Sequence, residues 1–324
     1  MKFVGTVLTL ITISCGMPGC DSTTSTSFDG TLSTSPNSTI GSVDRPLRVL
    51  LIPADGGTEE GTIADFEPIF KAITKDNDLH FDIKVGQSYN AVVEGMVNEK
   101  VDVAWFGPVS YNLAKQRGAA EFLAVGVKDG QSVYYSGIFV NSIANFAGLT
   151  DLKGKSIAFG DLNSTSSFNF PVAMLLDAGI DPANDLSHIY FTGSHANSLA
   201  ALAAGKVDAA CASYTSFEKA VTNGQIDPDQ IIPLVKSDPI PYPPMAMHVK
   251  LPDSLKERLR RAFDSVHEAD GIRPEMIRGY GGKMIDRYST DFSEEEFDKS
   301  MAMLAAVTDE LKEELLKKAS QGDK

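Results

Sequence analysis

Ser156-Ile157-Ala158-Phe159-Gly160, followed at once by Asp161-Leu162-Asn163-Ser164-Thr165-Ser166-Ser167, is the stretch that decides how this chain folds. The first five residues are an apolar strand candidate. The next seven end in four hydroxyls in succession and run into a helical pattern that closes near Ala178-Gly179. A helix start leaves backbone N–H groups without intrahelical partners, its dipole favours negative charge, and serine and threonine hydroxyls add donors. One such residue is enough for an N-cap, so four in a row where a strand hands over to a helix point to a site for a small oxyanion. Pro171 follows closely, so regular helix is expected to start late or kink there, leaving more N–H groups open beside Ser164 to Ser167. Nothing in such a site calls for lysine or arginine, which suits a chain with a formal net charge of -14.

Outward from this turn, short apolar strands alternate with amphipathic helices. Strand candidates lie at 48–53, 81–85, 101–106, 122–127, 135–141, 156–159, 188–192, 207–212 and 231–235, and helical patterns at 63–74, 89–98, 109–116, 164–178 and 196–204. This alternation predicts an α/β fold with mostly parallel sheets. Towards the C-terminus, Ser254-Leu255-Lys256-Glu257 and Ser293-Glu294-Glu295-Glu296 read as capping boxes opening helices. The last helix is expected to run to about Lys318 as a solvated packing helix.

An internal repeat sharpens the picture. A shift of 106 residues lays Lys100-Val101-Asp102-Val103-Ala104 on Lys206-Val207-Asp208-Ala209-Ala210, Val93 on Leu199, Met96 on Leu202, and Tyr89 on His195, each of the last pair just after a serine. Two similar strand–helix–strand units imply two lobes facing across a cleft, with Tyr89 on one wall and His195 on the other. Ligands in such sheets sit at the carboxyl ends of strands, where these residues fall. A histidine there donates to an oxyanion, and an anionic ligand favours its charged form. Chance likeness of small βαβ units is the plainer reading of the repeat.

At 324 residues the chain has room for two lobes with a substantial core. Its acidity argues against nucleic acid or an anionic membrane surface as partner. Met1-Lys2 and the apolar stretch Phe3–Ile13 read as an export signal too short to span a bilayer. Met17-Pro18-Gly19-Cys20 resembles a bacterial lipobox, with Thr12-Ile13-Ser14-Cys15 as a rival cut and plain cleavage as the alternative. Cys20 is preferred because it leaves a short polar stretch after the apolar core. Residues 21–45, rich in serine and threonine, read as a flexible tether. The third cysteine, Cys211, lies in an apolar run and is expected to be a buried core residue. The other histidines show no metal-ligand spacing, Gly154-Lys155-Ser156 fails as a P-loop, and Gly-x-Ser-x-Gly and His-Glu-x-x-His motifs are missing. No cofactor and no metal are expected.

With these residues in hand, the chain resembles the periplasmic phosphonate/phosphite-binding proteins of ABC transporters. The likeness is carried by Val101-Asp102-Val103-Ala104-Trp105-Phe106-Gly107-Pro108-Val109-Ser110-Tyr111, by Gly160-Asp161-Leu162-Asn163-Ser164-Thr165-Ser166 and by Gly193-Ser194-His195. It implies an α/β, two-lobed periplasmic-binding-protein fold of type II: signal 1–20, tether 21–45, lobe one 46–140, lobe two 141–238, and a return to lobe one over 239–324. By that likeness Ser164, Thr165, Ser166 and His195 bind the ligand's oxygens from the second lobe, and Tyr89 and Tyr134 reach them from the first lobe and the hinge. It also implies an ABC permease as partner, contact with the membrane only through the lipid on Cys20, a periplasmic or cell-surface location, and a monomer.

The chain departs from part of that pattern. Relatives that take 2-aminoethylphosphonate carry acidic residues for its ammonium; those positions fall here near Thr215 and Tyr242-Pro243, neither of them acidic. Glu218 and Asp238 stand close enough that a shift of register would supply one. The expected ligand is therefore phosphite, methylphosphonate or phosphate, with Tyr242 either an apolar face against the substituent or a turn residue within Pro239–Pro244. Tyr111, Tyr135 and Trp105 read as packing, and Tyr214 as a weak candidate for the cleft wall. Two other functions use the same residues: a hydrolase with Ser164 or Ser166 as nucleophile and His195 as base, and a ligand-binding sensor ectodomain.

Overall fold

The computed structural model describes residues 39–54 and 59–321. The chain lays down β1 (Leu47–Leu51), α1 (Glu59–Asn77), β2 (Phe81–Val85), α2 (Tyr89–Val97), β3 (Val103–Trp105), α3 (Pro108–Gln116) and β4 (Ala120–Val127). Through the short strand β5 (Val133–Tyr134) it crosses into β6 (Ser136–Asn141), β7 (Ser156–Phe159), α4 (Phe170–Asp177), β8 (His188–Phe191), α5 (His195–Ala203), β9 (Ala209–Ser213), α6 (Tyr214–Thr222) and β10 (Ile231–Lys236). It returns through β11 (Ile240–Pro241) into β12 (Pro244–His248), α7 (Asp253–Ser265), β13 (Arg287–Ser289), α8 (Glu295–Ala302) and α9 (Asp309–Gln321). Two sheets result, ordered β13-β4-β12-β3-β1-β2 and β10-β6-β9-β7-β8, with the β5–β11 ribbon between them.

Helices cover both sheets, and the sheets are mixed. β1 pairs in parallel with β2 and β3, and β7 in parallel with β8 and β9, whereas the strands flanking the crossovers pair antiparallel. Parallel pairing is therefore less dominant than the alternation of strands and helices implies. β4, β6, β10 and β12 lead into or out of the ribbon, so they run against the strands beside them.

The repeat is physical. Asp102 accepts the Arg48 backbone N–H at 2.9 Å and the Arg48 guanidinium at 2.8 and 2.7 Å, tying β3 to the adjacent β1. Asp208 accepts the Ser156 N–H at 2.8 Å and its hydroxyl at 2.7 Å, tying β9 to the adjacent β7. Each aspartate thus stands just before its own strand and takes an N–H from the first or second residue of the neighbouring parallel strand. The helices match as well. Ser88 and Ser194, both extended, cap α2 and α5 by accepting from Ala91 and Asn197, which puts Tyr89 and His195 at the first helical position of each.

Several expectations change. The stretch at 39–45, read as the end of a tether, joins the first sheet: Gly41 is buried at φ +89°, its N–H bonds Arg45 and its carbonyl takes the His80 N–H at 2.8 Å. The proposed signal, Cys20 and the preceding tether lie outside the described residues. Neither C-terminal serine caps a helix. α7 opens at Asp253 behind Pro252, whose fixed φ starts the turn and leaves Ser254 inside it. α8 opens after a tight turn in which Glu294 is drawn away to Tyr111 at 2.7 Å and Lys115 at 2.6 Å. α9 does not stay with the first sheet. Its Leu315 is fully buried, Lys318 donates to the Ala183 carbonyl at 2.6 Å, and the helix packs on β8. Trp105, packed 4.4 Å from Phe66 between ring centroids, and Cys211 are core residues as expected.

The two aspartates differ in burial, since Asp102 is buried and Asp208 exposed. Asp102→Ala is expected to lower unfolding free energy by about 2 kcal/mol, through loss of charge-assisted bonds to a strand edge. Asp208→Ala should cost about 1 kcal/mol or less. Chemical denaturation of the two variants checks the order; equal losses would contradict it.

Candidate functional site

The hydroxyl run does not open an ordinary helix. Ser164 is an extended N-cap whose Oγ accepts the Ser167 N–H at 3.1 Å and the Ser167 hydroxyl at 2.7 Å. From Thr165 to Asn169 the chain makes a π-helical turn, in which Asn169 N–H reaches the Ser164 carbonyl and Phe170 N–H the Thr165 carbonyl, each five residues back. Pro171 explains why. Without an N–H it leaves two carbonyls unclaimed, that of Ser167 for an α-helix and that of Ser166 for a π-helix. Both find donors elsewhere: Ser167 from Gly160 N–H at 3.1 Å, and Ser166 from the Ser136 hydroxyl at 2.7 Å. The regular helix α4 starts at Phe170, as the proline suggested. Close approach requires the glycine at Gly160, since a Cβ there would collide with the Ser167 hydroxyl.

The hydroxyls and the repeat-related pair meet at one atom. His195 Nε2 lies 3.4 Å from the Ser164 hydroxyl, 3.4 Å from the Tyr89 hydroxyl and 2.8 Å from the Tyr280 hydroxyl. All four side chains are at most 3% exposed. On its other side, His195 Nδ1 accepts the Ser213 backbone N–H at 2.9 Å. A backbone N–H only donates, so Nδ1 carries no proton and Nε2 carries one. The histidine therefore faces the hydroxyls as a neutral N–H donor, the donor role expected of it from the sequence.

Other contacts between the lobes surround this point. Thr165 Oγ1 accepts the Val109 N–H at the start of α3 at 2.9 Å, Asp161 accepts the Tyr89 N–H at the start of α2 at 3.3 Å, and His195 N–H donates to the Ala54 carbonyl at 3.1 Å. Burial pushes the Asp161 carboxyl above the usual carboxylate range, against the lowering effect of N–H bonds from Asn163 and Tyr89. Tyr134, on the ribbon, is buried, with Ser166 and Thr165 near its hydroxyl. Burial raises both the Tyr89 and Tyr134 phenols far above the ordinary tyrosine range; hydrogen bonds to Tyr280 and Ser164, and to Ser166 and Thr165, offset only part of it.

Six of the seven predicted residues, Tyr89, Tyr134, Ser164, Thr165, Ser166 and His195, thus form one buried cluster. Tyr242 stands beside it. It is buried, with its ring 6.2 Å from that of Tyr134 and wedged where a Cβ on Gly126 or Gly279 would clash, so it is more than a turn residue. Tyr280 was missed. Its signal in the sequence is faint: a tyrosine within Gly279-Tyr280-Gly281-Gly282, where Gly281 and Gly282 adopt φ of +67° and +71°. Tyr111 is core, its hydroxyl on Glu294, and Tyr214 lines a cavity behind Tyr134. Among the described residues no group of three or more histidine, cysteine, aspartate or glutamate side chains could hold a metal ion.

Two outcomes follow from this geometry. Ser164→Ala removes the acceptor for two Ser167 donors and should lower stability by about 1–2 kcal/mol in thermal unfolding. Phenols held protonated by burial ionise only in the unfolded chain, so that chain binds fewer protons above the ordinary tyrosine value of about 10, and stability should fall as pH rises past it. In a spectrophotometric titration Tyr89 and Tyr134 should ionise only together with unfolding; a native protein that ionises all nine tyrosines reversibly would contradict their burial.

The family model for the periplasmic substrate-binding protein of phosphonate ABC transporters matches residues 57–283. The phosphate-import protein PhnD of Mycolicibacterium smegmatis is 31% identical over 223 residues, covering 65% of this chain and 69% of that protein. The phosphonates-binding periplasmic protein of Escherichia coli is 28% identical over 236 residues, covering 67% and 70%. Among solved structures, PhnD1 of Prochlorococcus marinus in complex with methylphosphonate superposes with a TM-score of 0.68 at 18% identity, covering 81% of this chain and 97% of that one. A binding-protein component of an ABC phosphonate transporter from Pseudomonas aeruginosa gives 0.66 at 22% identity, covering 86% and 98%. The structural likenesses establish the type II periplasmic-binding fold, and the match over most of the chain establishes the family. The chain belongs to the periplasmic substrate-binding proteins of phosphonate ABC transporters.

Proposed function

We propose that this chain captures a small phosphorus oxyanion, namely phosphite, methylphosphonate or phosphate, between its lobes and delivers it to an ABC permease. The observation that carries this reading is the convergence of Tyr89 and Tyr280 from one lobe with Ser164 and His195 from the other on a single buried point. Ser164, Thr165, Ser166, Tyr134 and the His195 Nε2–H supply uncharged donors, and such donors recognise a tetrahedral anion by direction: an oxygen without a partner, or a donor without an oxygen, costs about 1–3 kcal/mol when buried. Because the cluster draws on both lobes, a ligand held there stabilises their closed arrangement, and closure is the state a permease reads. Binding, not chemistry, is the proposed activity.

The hydrolase reading loses support from the same atoms. A base for Ser164 needs an unprotonated nitrogen, and Nε2 carries the proton because Nδ1 accepts from Ser213. The partner on Nδ1 is a backbone N–H, where a catalytic triad has a carboxylate. The finer points of the transport reading, that the chain acts as a monomer and is held at the membrane by a lipid on Cys20, rest on the sequence.

Isothermal calorimetry with phosphite, methylphosphonate and phosphate tests the proposal. At least one should bind with one-to-one stoichiometry and a Kd of about 1 μM or tighter, near −8 kcal/mol. Ser164→Ala combined with Thr165→Ala should weaken that binding by about a hundredfold or more, the worth of two buried hydrogen bonds to a charged group. Failure of all three ligands to bind would overturn the reading.

A further inference from the structure

Behind Tyr134, on the ribbon side of the cluster, lies a cavity of about 220 Å³. It meets the cluster at Tyr134, whose hydroxyl lies near Ser166 and Thr165, and at Thr215, two residues beyond the Ser213 N–H that holds His195. Tyr242 forms part of its wall. A water's share of liquid volume is about 30 Å³, so this space admits an organic arm of several heavy atoms, more than a methyl group needs.

On the lining itself three lysines, Lys128, Lys236 and Lys283, face two carboxylates, Asp129 and Glu218. Glu218 is its nearest substitute for the carboxylate absent at Thr215 and Tyr242, and Glu218 is engaged by Lys283 at 2.8 Å. Lys128 is engaged by Asp286 at 2.7 Å, and Asp129, a further carboxylate on the lining, is 3.8 Å from the same lysine. Lys236 differs. Its ammonium lies over the Tyr135 ring, 3.6 Å from the centroid, and 5.0 Å from that of Tyr214. Among the described residues no carboxylate lies within 4 Å of it. Contact with ring faces holds an ammonium in place without cancelling its charge. The cavity thus presents one positive charge that no carboxylate touches, while Glu218 is held by Lys283 and Asp129 shares Lys128 with Asp286.

From this we propose that the cavity is a subsite for the ligand's organic arm, and that it selects phosphonates whose arm ends in a carboxylate over those whose arm ends in an ammonium. The proposal rests on the oxyanion reading, because the phosphorus end must sit in the hydroxyl cluster for the arm to enter here. An ammonium arm would meet Lys236 and would have to displace Lys283 to reach Glu218. A carboxylate arm meets Lys236 with its charge available. Such a preference is electrostatic and partly exposed to solvent, so it should weaken with salt.

Calorimetry with methylphosphonate, phosphonoacetate and 2-aminoethylphosphonate separates the two claims. Phosphonoacetate should bind at least about tenfold more tightly than 2-aminoethylphosphonate, the factor contributed by one modest charge interaction, and the ratio should shrink in 0.5 M salt. Lys236→Glu should remove or invert the preference while leaving methylphosphonate affinity within about threefold, and that retained affinity shows that the variant is folded. Lys236→Gln should fall between the two. Equal binding of the two armed ligands by the unaltered chain, or a ratio unchanged by Lys236→Glu, would overturn the subsite. Loss of every ligand, methylphosphonate included, in the unaltered chain would instead overturn the oxyanion reading beneath it.

Discussion

The Ser213 backbone N–H points at His195 Nδ1 from 2.9 Å, and this single bond decides what the buried cluster is made of. It places the imidazole proton on Nε2, so the ring meets Ser164, Tyr89 and Tyr280 as a donor among hydroxyls, each able to donate or accept. Ser213 is well placed to hold the ring still. It ends β9, and its hydroxyl caps α6 by accepting the Ser216 N–H at 3.0 Å. A sheet strand, a helix start and the ring are thereby fixed to one residue. A charged imidazole would need a second acceptor at Nδ1, and the fold supplies a donor there.

The two lobes meet through bonds of modest strength. Neutral hydrogen bonds are worth about 1 kcal/mol each in net terms, and an exposed ion pair such as Glu218–Lys283 at 2.8 Å contributes about 0–1 kcal/mol. In the proposed function, polar contacts this weak leave the open and closed arrangements close in free energy. That balance is useful, because a small anion making several charge-assisted bonds is then enough to decide between them.

Much of this was legible in the chain. The strand at 156–159, the run of hydroxyls, Pro171 and the 106-residue shift between Tyr89 and His195 located one wall of the cluster and the residue facing it, because caps and prolines act through local backbone geometry that sequence records directly. What escaped depends on tertiary context. β12 was missed because Pro239, Pro241, Pro243 and Pro244 announce a turn and Pro244–His248 has no β-branched residue, yet it lies fully buried between β3 and β4. Tyr280 sits 85 residues from His195 in a glycine-rich turn with no periodicity to mark it. The tautomer of His195 was beyond reach, since nothing in a string of letters says which backbone group will face a ring nitrogen.

The last helix adds a constraint of a different kind. α8 packs with the first sheet, its Phe297 ring 5.3 Å from that of Tyr111, while α9 is fastened to the second through Leu315 and Lys318. The segment joining them is therefore a third span across the waist of the molecule, beside the two strands of the ribbon. Two spans lying side by side allow bending and also twisting. A third beside them, with α8 packed on β11, adds a tie against torsion and favours a single axis for the swing of one half against the other. Surfaces that part along such an axis come back together in the same alignment, which a cluster assembled from both halves requires each time it forms.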